Sequence, residues 1–391
     1  MGAPPLRIAL VTHRFVRGDG QGRVNYELAR ALLASGHEVW LVASEVAPDL
    51  AQAPGAHPVL LGCGPLPTEL LRNQWFAART TRWLWRHRRR LDLVHASGFV
   101  SWARADISSC HFVHSAWIRS PFHTWQVRRD AYGLYQLLYT WANRGFEKVA
   151  YRRARLVVAV SEQVRTELTE VAGISPDRVR VIQNGVDVDE FTPCTPTPDT
   201  GIRPGRVALF IGDIRTPRKN LDTLLRAIAL VDRVTLLVVG ATEGSPYPRQ
   251  AEALGLAERV HFLGFRRDVA ALMGIADVFV FPSRYEACSL VLLEAASAGL
   301  PVIAGRHTGG TELLNPACSV LLEDPNDEQE LAGALAALFD DPPRLRLMGA
   351  AARQVAVANS WGRMAQRYLD LYREVCDPDC AARVARRIPA A

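Results

Sequence analysis

No stretch of the 391 residues approaches the roughly 18 uninterrupted apolar residues of a membrane-spanning helix, which excludes an integral helical membrane protein. Met1–Leu6 has no basic region leading into a long apolar one. The first apolar run, Leu6–Val11, has the length of a strand and not of a signal peptide. Gly2 is followed by Leu6 at the position where a myristoylation signal needs Ser or Thr. The seven cysteines (63, 110, 194, 288, 318, 376 and 380) are odd in number and scattered, and they form no CxxC pair. That spacing excludes a disulfide scaffold and a structural zinc site, and it fits a reducing cytosol. Lysine is nearly missing: only Lys148 and Lys219 stand among 46 basic residues, a bias that Arg-rich composition explains without any function. Disorder throughout is excluded by 49% hydrophobic and 22% charged residues.

The net charge is a modest +6, but it is unevenly placed. Residues 1–200 hold 24 basic and 18 acidic side chains, whereas residues 201–391 hold 22 of each. Within 70–155 there are 16 basic against 4 acidic.

Short β-branched runs alternate with helix-period segments along the whole chain. Leu6–Val11, Glu38–Val42, Pro58–Leu61, Leu91–His95, Asp106–His111, Leu156–Val160 and Val179–Ile182 read as strands of a first series. Arg206–Ile211, Val234–Val239, Val260–Leu263, Val278–Phe281, Pro301–Ala304 and Val320–Leu322 form a second. Their continuous apolar character is that of parallel strands buried on both faces. Between the series, Phe191–Gly205 carries four prolines, which lack a backbone donor and resist helix. The expectation is therefore an α/β chain of two doubly wound domains, 1–192 and 205–360, joined by a linker at 193–204. A C-terminal helix within 361–391 has one apolar face, with Trp361, Met364, Tyr368, Leu371, Tyr372 and Val375 at 3/4 spacing, and is expected to pack back on the first domain. In such folds ligands bind outside the carboxyl ends of the strands.

The densest chemistry lies in Phe281-Pro-Ser-Arg-Tyr-Glu-Ala-Cys-Ser-Leu-Val-Leu-Leu-Glu-Ala-Ala-Ser-Ala-Gly-Leu-Pro301. A strand ends at Pro282, a loop carries Glu286, and Ser289 is placed to cap a helix running to about Ala298. The start of that helix, with Ser289 and Leu290, offers free N–H groups that suit a phosphate. Glu294 sits in a run otherwise lacking charge and needs partners there. A ribose diol would supply them, and so would an arginine elsewhere in the fold. Upstream, Phe210-Ile-Gly-Asp-Ile-Arg-Thr-Pro-Arg-Lys-Asn-Leu places Arg218 and Lys219 just beyond another buried strand. Adjacent cations at that edge suit a pyrophosphate; Arg215 reads better as a solvated loop residue, with a diphosphate contact as its alternative.

Glu286-x7-Glu294 followed by Ala-Gly-Leu-Pro-Val-Ile resembles the signature of retaining GT-B glycosyltransferases of family GT4. Phe262-Leu-Gly-Phe-Arg266, Gly309-Gly-Thr-Glu312 and Ile182-Gln-Asn-Gly-Val-Asp-Val-Asp-Glu-Phe191 resemble further elements of the same family in the same order. The resemblance implies a GT-B fold, two Rossmann-like domains facing across a cleft, with the second binding the nucleotide sugar. It implies that Glu286 contacts the transferred sugar, that Glu294 binds the ribose, and that Phe265 lies in the loop contacting the base. Two departures stand out: Asp213 occupies a position where many members have Arg, and Cys288 lies where Phe is usual. Arg218 and Lys219 must then carry most of the diphosphate charge.

Thr12–Asn25 contains a G-x-G-x-G run, but six residues separate Val11 from Gly18, too many for the tight turn of a dinucleotide fold. The resemblance makes it the flexible donor-facing loop, with Gly20 the matching residue and Asp19 turned toward acceptor or solvent. His95 and His111 each end a predicted strand, where histidine ordinarily just begins a loop. The family's site histidine resembles His111, with His114 the second candidate. His114, Arg128 and Arg129 are expected on the acceptor side.

The resemblance implies a retaining, metal-independent hexosyl transfer from an NDP-sugar, a UDP-sugar first among donors, to a saccharide, lipid-linked or small-molecule hydroxyl. No metal-ligand cluster stands near the phosphate loops, and no cofactor beyond the sugar nucleotide is called for. The rivals are a nucleotide-sugar epimerase on the same scaffold and a sugar-nucleotide binder without turnover. Residues 70–90 combine three tryptophans with seven arginines. Such a helix suits an anionic membrane surface, which would make a cytoplasmic protein peripheral to the membrane, and equally an ordinary helix with a buried aromatic stripe. A nucleic-acid partner lacks any recognisable module. The sequence is silent on oligomeric state.

Overall fold

Apolar runs separated by helices bury both faces of the central strands of a parallel sheet, and both halves of the chain do so, with edge strands such as Ala56–Leu60 more exposed. The computed structural model describes residues 4–193 and 205–377. The first sheet holds β1 (Arg7–Val11), β2 (Glu38–Ala43), β3 (Ala56–Leu60), β4 (Leu93–Ser97), β5 (Ile107–Cys110), β6 (Leu156–Ala159) and β7 (Val179–Val181). Its spatial order is β3-β2-β1-β4-β5-β6-β7, with every pair parallel. The second holds β8 (Val207–Ile211), β9 (Thr235–Val239), β10 (Val260–Phe262), β11 (Val278–Phe281), β12 (Val302–Gly305) and β13 (Ser319–Leu322), in the order β10-β9-β8-β11-β12-β13. These pairs are parallel as well.

Each sheet changes direction once, between β1 and β4 in the first and between β8 and β11 in the second. At such a reversal the connections leave on opposite faces and open a crevice at the carboxyl edge. The functional loops should therefore follow β1, β4, β8 and β11.

The helices used below are α1 (Gly20–Ala34), α2 (Glu69–His87), α3 (Ala131–Arg153), α4 (Leu221–Leu230), α5 (Leu290–Ser297), α6 (Pro342–Ala358) and α7 (Trp361–Cys376). The chain divides into two compact units, one of residues up to Asn184 together with those from Trp361 onward, the other Gly185–Ser360. The expected boundary at 192 falls too late. Val186 bridges Ser360, and the Phe191 carbonyl accepts hydrogen bonds from Ser297 Oγ and from Arg353 on α6, so this stretch already belongs to the second unit. Residue 193 is described, and the rest of the expected linker, 194–204, lies outside the described residues.

Helix α7 returns to the first unit. Trp361, Met364, Tyr368, Leu371, Tyr372 and Val375 are buried, and the Val375 carbonyl accepts from Arg155. Each such side chain removed from water contributes about 1.5–3 kcal/mol. Residues 378–391 lie outside the described residues.

Candidate functional site

The second unit's crevice is built by the loops after β8 and β11. Arg284 staples them together: its guanidinium pairs with Asp222 at 2.7 Å on α4 and donates to the Pro217 carbonyl and to Asn326. Its own N–H donates to the Arg218 carbonyl at 2.9 Å. Asn220 takes the left-handed conformation (φ 62°), is fully buried, and donates to the Pro282 carbonyl at 2.9 Å. Asn tolerates that conformation better than most side chains, so it turns the chain into α4 just after the two cations.

This scaffold places Arg218, Lys219 and Glu286 side by side. Glu286 Oε1 is in direct contact with Lys219 Nζ and lies 3.4 Å from Arg218 Nη1. Lys219 also sits 4.9 Å from the centre of the Phe281 ring. Burial pulls the Lys219 ammonium below its ordinary value, and the Glu286 charge opposes that shift. One carboxylate thus faces two cations in a nearly dry site, a local charge of +1 suited to an anion.

The neighbouring loops close up on the same edge by backbone contact. The Ser289 N–H donates to the Gly309 carbonyl and the Gly309 N–H to the Glu286 carbonyl, both at 3.0 Å. A Cβ on Gly309 would stand 2.0 Å from the Ala287 oxygen, so no other residue fits there without displacement. A Cβ on Gly240, beyond β9, would lie 2.2 Å from the Gly212 oxygen. The Gly240 N–H donates in turn to the Gly264 carbonyl at 3.0 Å, which ties the loop carrying Phe265 to the loop after β8. Phe265 is 74% exposed, an open aromatic ring. Ser289 precedes α5 without a side-chain capping bond, and Leu290 begins the helix. Glu294 is half-buried on α5, a little over one turn further on. Asp213 pairs with Arg215 at 2.9 Å, and the Arg215 side chain stays largely exposed, so the expected solvated loop residue takes the form of a surface ion pair.

In the first unit, Asp19 is exposed to solvent, as expected, and its carboxylate also accepts from the Gly22 N–H at 3.0 Å and caps α1, with Gly20 the helix's first residue. A short acidic side chain ahead of a glycine-rich helix start is used locally, where orphan N–H groups are nearest. Buried Asn25 joins the reversal of the sheet, donating to Thr12 Oγ1 at 2.9 Å and accepting from Ser97 Oγ at 2.7 Å. His95 does not end its strand: it lies inside β4, buried, with Tyr372 at 2.5 Å and Ser109 at 2.7 Å on its two ring nitrogens. Burial pushes it down to about 3, so it is a neutral structural residue. The small residues Ala96 and Ser97 continued the strand where an apolar run had ended.

His111 follows β5 and is half-buried, and burial pushes its imidazole down to about 4. His114 is also pushed down to about 4, and its Nδ1 is buried without a hydrogen-bond partner among the described residues. Both imidazoles are therefore neutral at pH 7 and available as hydrogen-bonding groups. The loop is held by Glu147 of α3, whose two oxygens accept the His114 N–H at 2.8 Å and the Ser115 N–H at 2.7 Å. Burial raises this carboxyl to about 7 against the pull of those bonds. Glu147 escaped the sequence reading, although it is the lone acid in an aromatic helix. Arg128 pairs with Asp130 over the Tyr132 ring, and Arg129 lies 5.8 Å from the Trp125 ring centre. Among the described residues neither bonds to His111 or His114. No group of three His, Cys, Asp or Glu able to hold a metal occurs among the described residues, and no helix there is long and apolar enough to cross a membrane.

Two parallel sheets flanked by helices, with an anion-suited crevice at the carboxyl edge of the second, define a two-unit, doubly wound α/β protein with a candidate phosphate site. The solved structure of sucrose-phosphate synthase from Thermosynechococcus elongatus superposes with a TM-score of 0.76 at 23% identity, covering 94% of this chain and 98% of that one. Alr3699/HepE from Anabaena, solved in complex with UDP-glucose, gives 0.66 at 20% identity over 94% of this chain and 99% of that one. The fold is thus GT-B. The profile of Glycosyltransferase Family 4 matches residues 18–190, and that of Glycosyl transferases group 1 matches residues 205–341. A D-inositol 3-phosphate glycosyltransferase of Geodermatophilus obscurus is 31% identical, covering 95% of this chain and 88% of that protein. The chain belongs to the GT4-type, group 1 glycosyltransferases.

Proposed function

We propose that this glycosyltransferase moves a hexosyl group from a nucleoside-diphosphate sugar, a UDP-sugar first, to a hydroxyl acceptor with retention at the anomeric carbon and without a metal. The observation that carries the reading is the grouping of Arg218, Lys219 and Glu286 at the reversal of the second sheet. The UDP-glucose of the Anabaena structure supports the choice of donor. A diphosphate would draw Arg218 and Lys219 to itself and release Glu286 toward the sugar hydroxyls. Glu294 would take the ribose, Phe265 would stack near the base, and the Leu290 N–H and the Ser289 hydroxyl would face phosphate oxygens, the Ser289 N–H being given to the Gly309 carbonyl.

In the transfer, the bond from the anomeric carbon to the diphosphate oxygen breaks while the bond to the acceptor oxygen forms on the same face. The acceptor's proton passes to the departing phosphate, so no side-chain base is required. Fixed cations then stabilise the charge as it develops, which is where such sites gain most. His111, neutral, would hydrogen-bond the sugar, while His114 and Gly20 would border the reacting groups. Arg128 and Arg129 are the remaining acceptor-side candidates. The relatives' name makes a phosphorylated polyol such as D-inositol 3-phosphate the first acceptor to try.

The test is a screen of UDP-, GDP- and ADP-sugars by thermal shift, since ligands that bind only the folded state raise its stability. The sugar that binds is then incubated with acceptors. Acceptor-dependent NDP release, unchanged by EDTA, and an NMR-assigned linkage of the donor's own anomeric configuration are expected. Sugar conversion without acceptor would replace the reading with an epimerase.

A further inference from the structure

The first unit carries a feature that sugar transfer does not use. On α2 and the single 3-10 turn that follows it (Arg88–Arg90), the outward face runs Leu71, Trp75, Ala78, Arg82, Trp85 and Arg89, at alternating spacings of four and three, so these side chains form one stripe. The opposite face, with Phe76, Ala77, Thr80 and Leu84, is buried. Trp75 is 51% exposed and Trp85 75%. Among the described residues no acid pairs with Arg82, Arg86, Arg89 or Arg90, and residues 70–90 contain no Asp or Glu at all.

Helix α3 adds a second stripe. Leu134, Leu138 and Trp141 recur at spacings of four and three and are 47%, 56% and 65% exposed. The two helices are joined beneath these faces. Asn73 of α2 donates to the Tyr139 hydroxyl of α3 at 3.4 Å. Further along, Thr81 Oγ1 accepts the Trp102 N–H, and the Trp102 ring packs edge-on against Phe146 of α3.

We propose that the outward faces of α2 and α3 dock on the surface of an anionic lipid bilayer. Unpaired arginines complement negative headgroups, while the tryptophan and leucine side chains between them enter the boundary of the acyl chains. A nucleic acid would use the arginines but leave Leu134 and Leu138 in water. A protein partner would have to supply acids against every arginine. An ordinary solvated helix does not turn three tryptophans outward, and monomers rarely expose such patches without a use.

The full chain is sedimented with vesicles of phosphatidylcholine, alone or mixed with phosphatidylglycerol, and tryptophan fluorescence is read with brominated lipid in the same mixtures. Binding to the anionic vesicles only, weakened by salt, with quenching by brominated lipid, is expected. The double variant Arg82→Glu/Arg89→Glu changes the surface charge by four units and should lower vesicle affinity by about 600-fold, at roughly fivefold per unit. Trp75→Ser/Trp85→Ser should lower affinity and much of the quenching while leaving the melting temperature within a few degrees. No sedimentation with anionic vesicles, undiminished binding in both variants, or equal binding to heparin without lipid quenching would each overturn the proposal.

Discussion

The carboxyl edges of the two sheets solve the same topological problem with opposite electrostatics. At the edge of the second, charges are kept and opposed: Lys219 and Arg218 against Glu286, and Arg284 against Asp222. At the edge of the first, burial pushes His111 and His114 down to about 4, so both are neutral near pH 7, and raises Glu147 to about 7, where it carries only part of its charge. Fixed charge is what binds and stabilises a diphosphate, whose own charge is constant near pH 7. Neutral hydrogen-bonding groups are what a sugar and its acceptor need, because a cation there would compete for the leaving group. On the proposed function the two edges would divide binding from orientation, and the largest expected effects belong to the charged one.

Lys219→Ala should lower turnover by about 10²–10³-fold and abolish the thermal shift produced by UDP. It also leaves Glu286 facing Arg218 alone, so a circular-dichroism melt must accompany the kinetics. His111→Ala should lower kcat while leaving UDP affinity within about twofold. An equal loss of UDP affinity in both variants would break the division of labour.

Next in size is Gly309→Ala. The added Cβ would fall 2.0 Å from the Ala287 oxygen, against backbone that cannot swing aside like a side chain. A stability loss of about 1–3 kcal/mol is expected, as for other overpacked sites. Donor affinity should fall with it, because the same loop fixes Glu286 through the Gly309 N–H. A comparable cost at Gly20, where a Cβ would meet nothing within 4 Å, would mean that the clash is not the cause.

The third test concerns pH. His111 and His114 titrate near 4 when folded and near 6.5 when unfolded, so the unfolded chain takes up protons first. Their contribution to stability is whole above 6.5 and is lost as pH falls toward 4. Glu147 acts in the other direction. Its folded value of about 7 lies above the ordinary 4.5, so its contribution is present below 4.5 and lost as pH rises through 7. Between 4.5 and 6.5 the two trends oppose each other. In Glu147→Gln only the histidine trend remains, and the melting temperature should climb more steeply with pH over that range. An unchanged slope would show that Glu147 is not buried uncharged.

The same contrast explains what the sequence made legible. Most of the thirteen main-sheet strands follow from apolar runs, because parallel strands buried on both faces leave little room for alternation; the exceptions are the largely exposed edge strand β3 and β5, which carries Ser108 and Ser109. Arg218, Lys219 and Glu286 could be placed because charge beside a buried strand end is conspicuous. Arg284 and Asn220 were not found: their work lies in hydrogen bonds to carbonyls distant in sequence, which residue type does not announce. His95 was misjudged at a strand end because Ala96 and Ser97 carry no apolar signal although they are buried. The boundary at 184 escaped because prolines mark where chain is stiff, whereas the unit edge is set by the Val186 bridge to Ser360.

The smallest expected effect lies at Asp213 and Arg215. Asp213 stands two residues beyond β8, where the family resemblance makes arginine the expectation, yet the site retains its excess of positive charge. Burial pushes the Asp213 carboxyl up, but the Arg215 guanidinium and N–H pull it further the other way, so it stays ionised below its ordinary value. The pair is self-neutralising and half exposed, with Arg215 57% and Asp213 37% accessible. Such pairs contribute about 0–1 kcal/mol. Arg215→Ala should therefore leave stability nearly unchanged and weaken UDP affinity by less than about fivefold, and only by leaving the Asp213 charge bare. Arg215→Ala/Asp213→Ala together should restore that affinity, since the two charges are removed as a unit. If instead the double variant is weaker than the single one, Arg215 itself reaches the diphosphate, and the cationic work assigned to Arg218 and Lys219 is shared by a third residue.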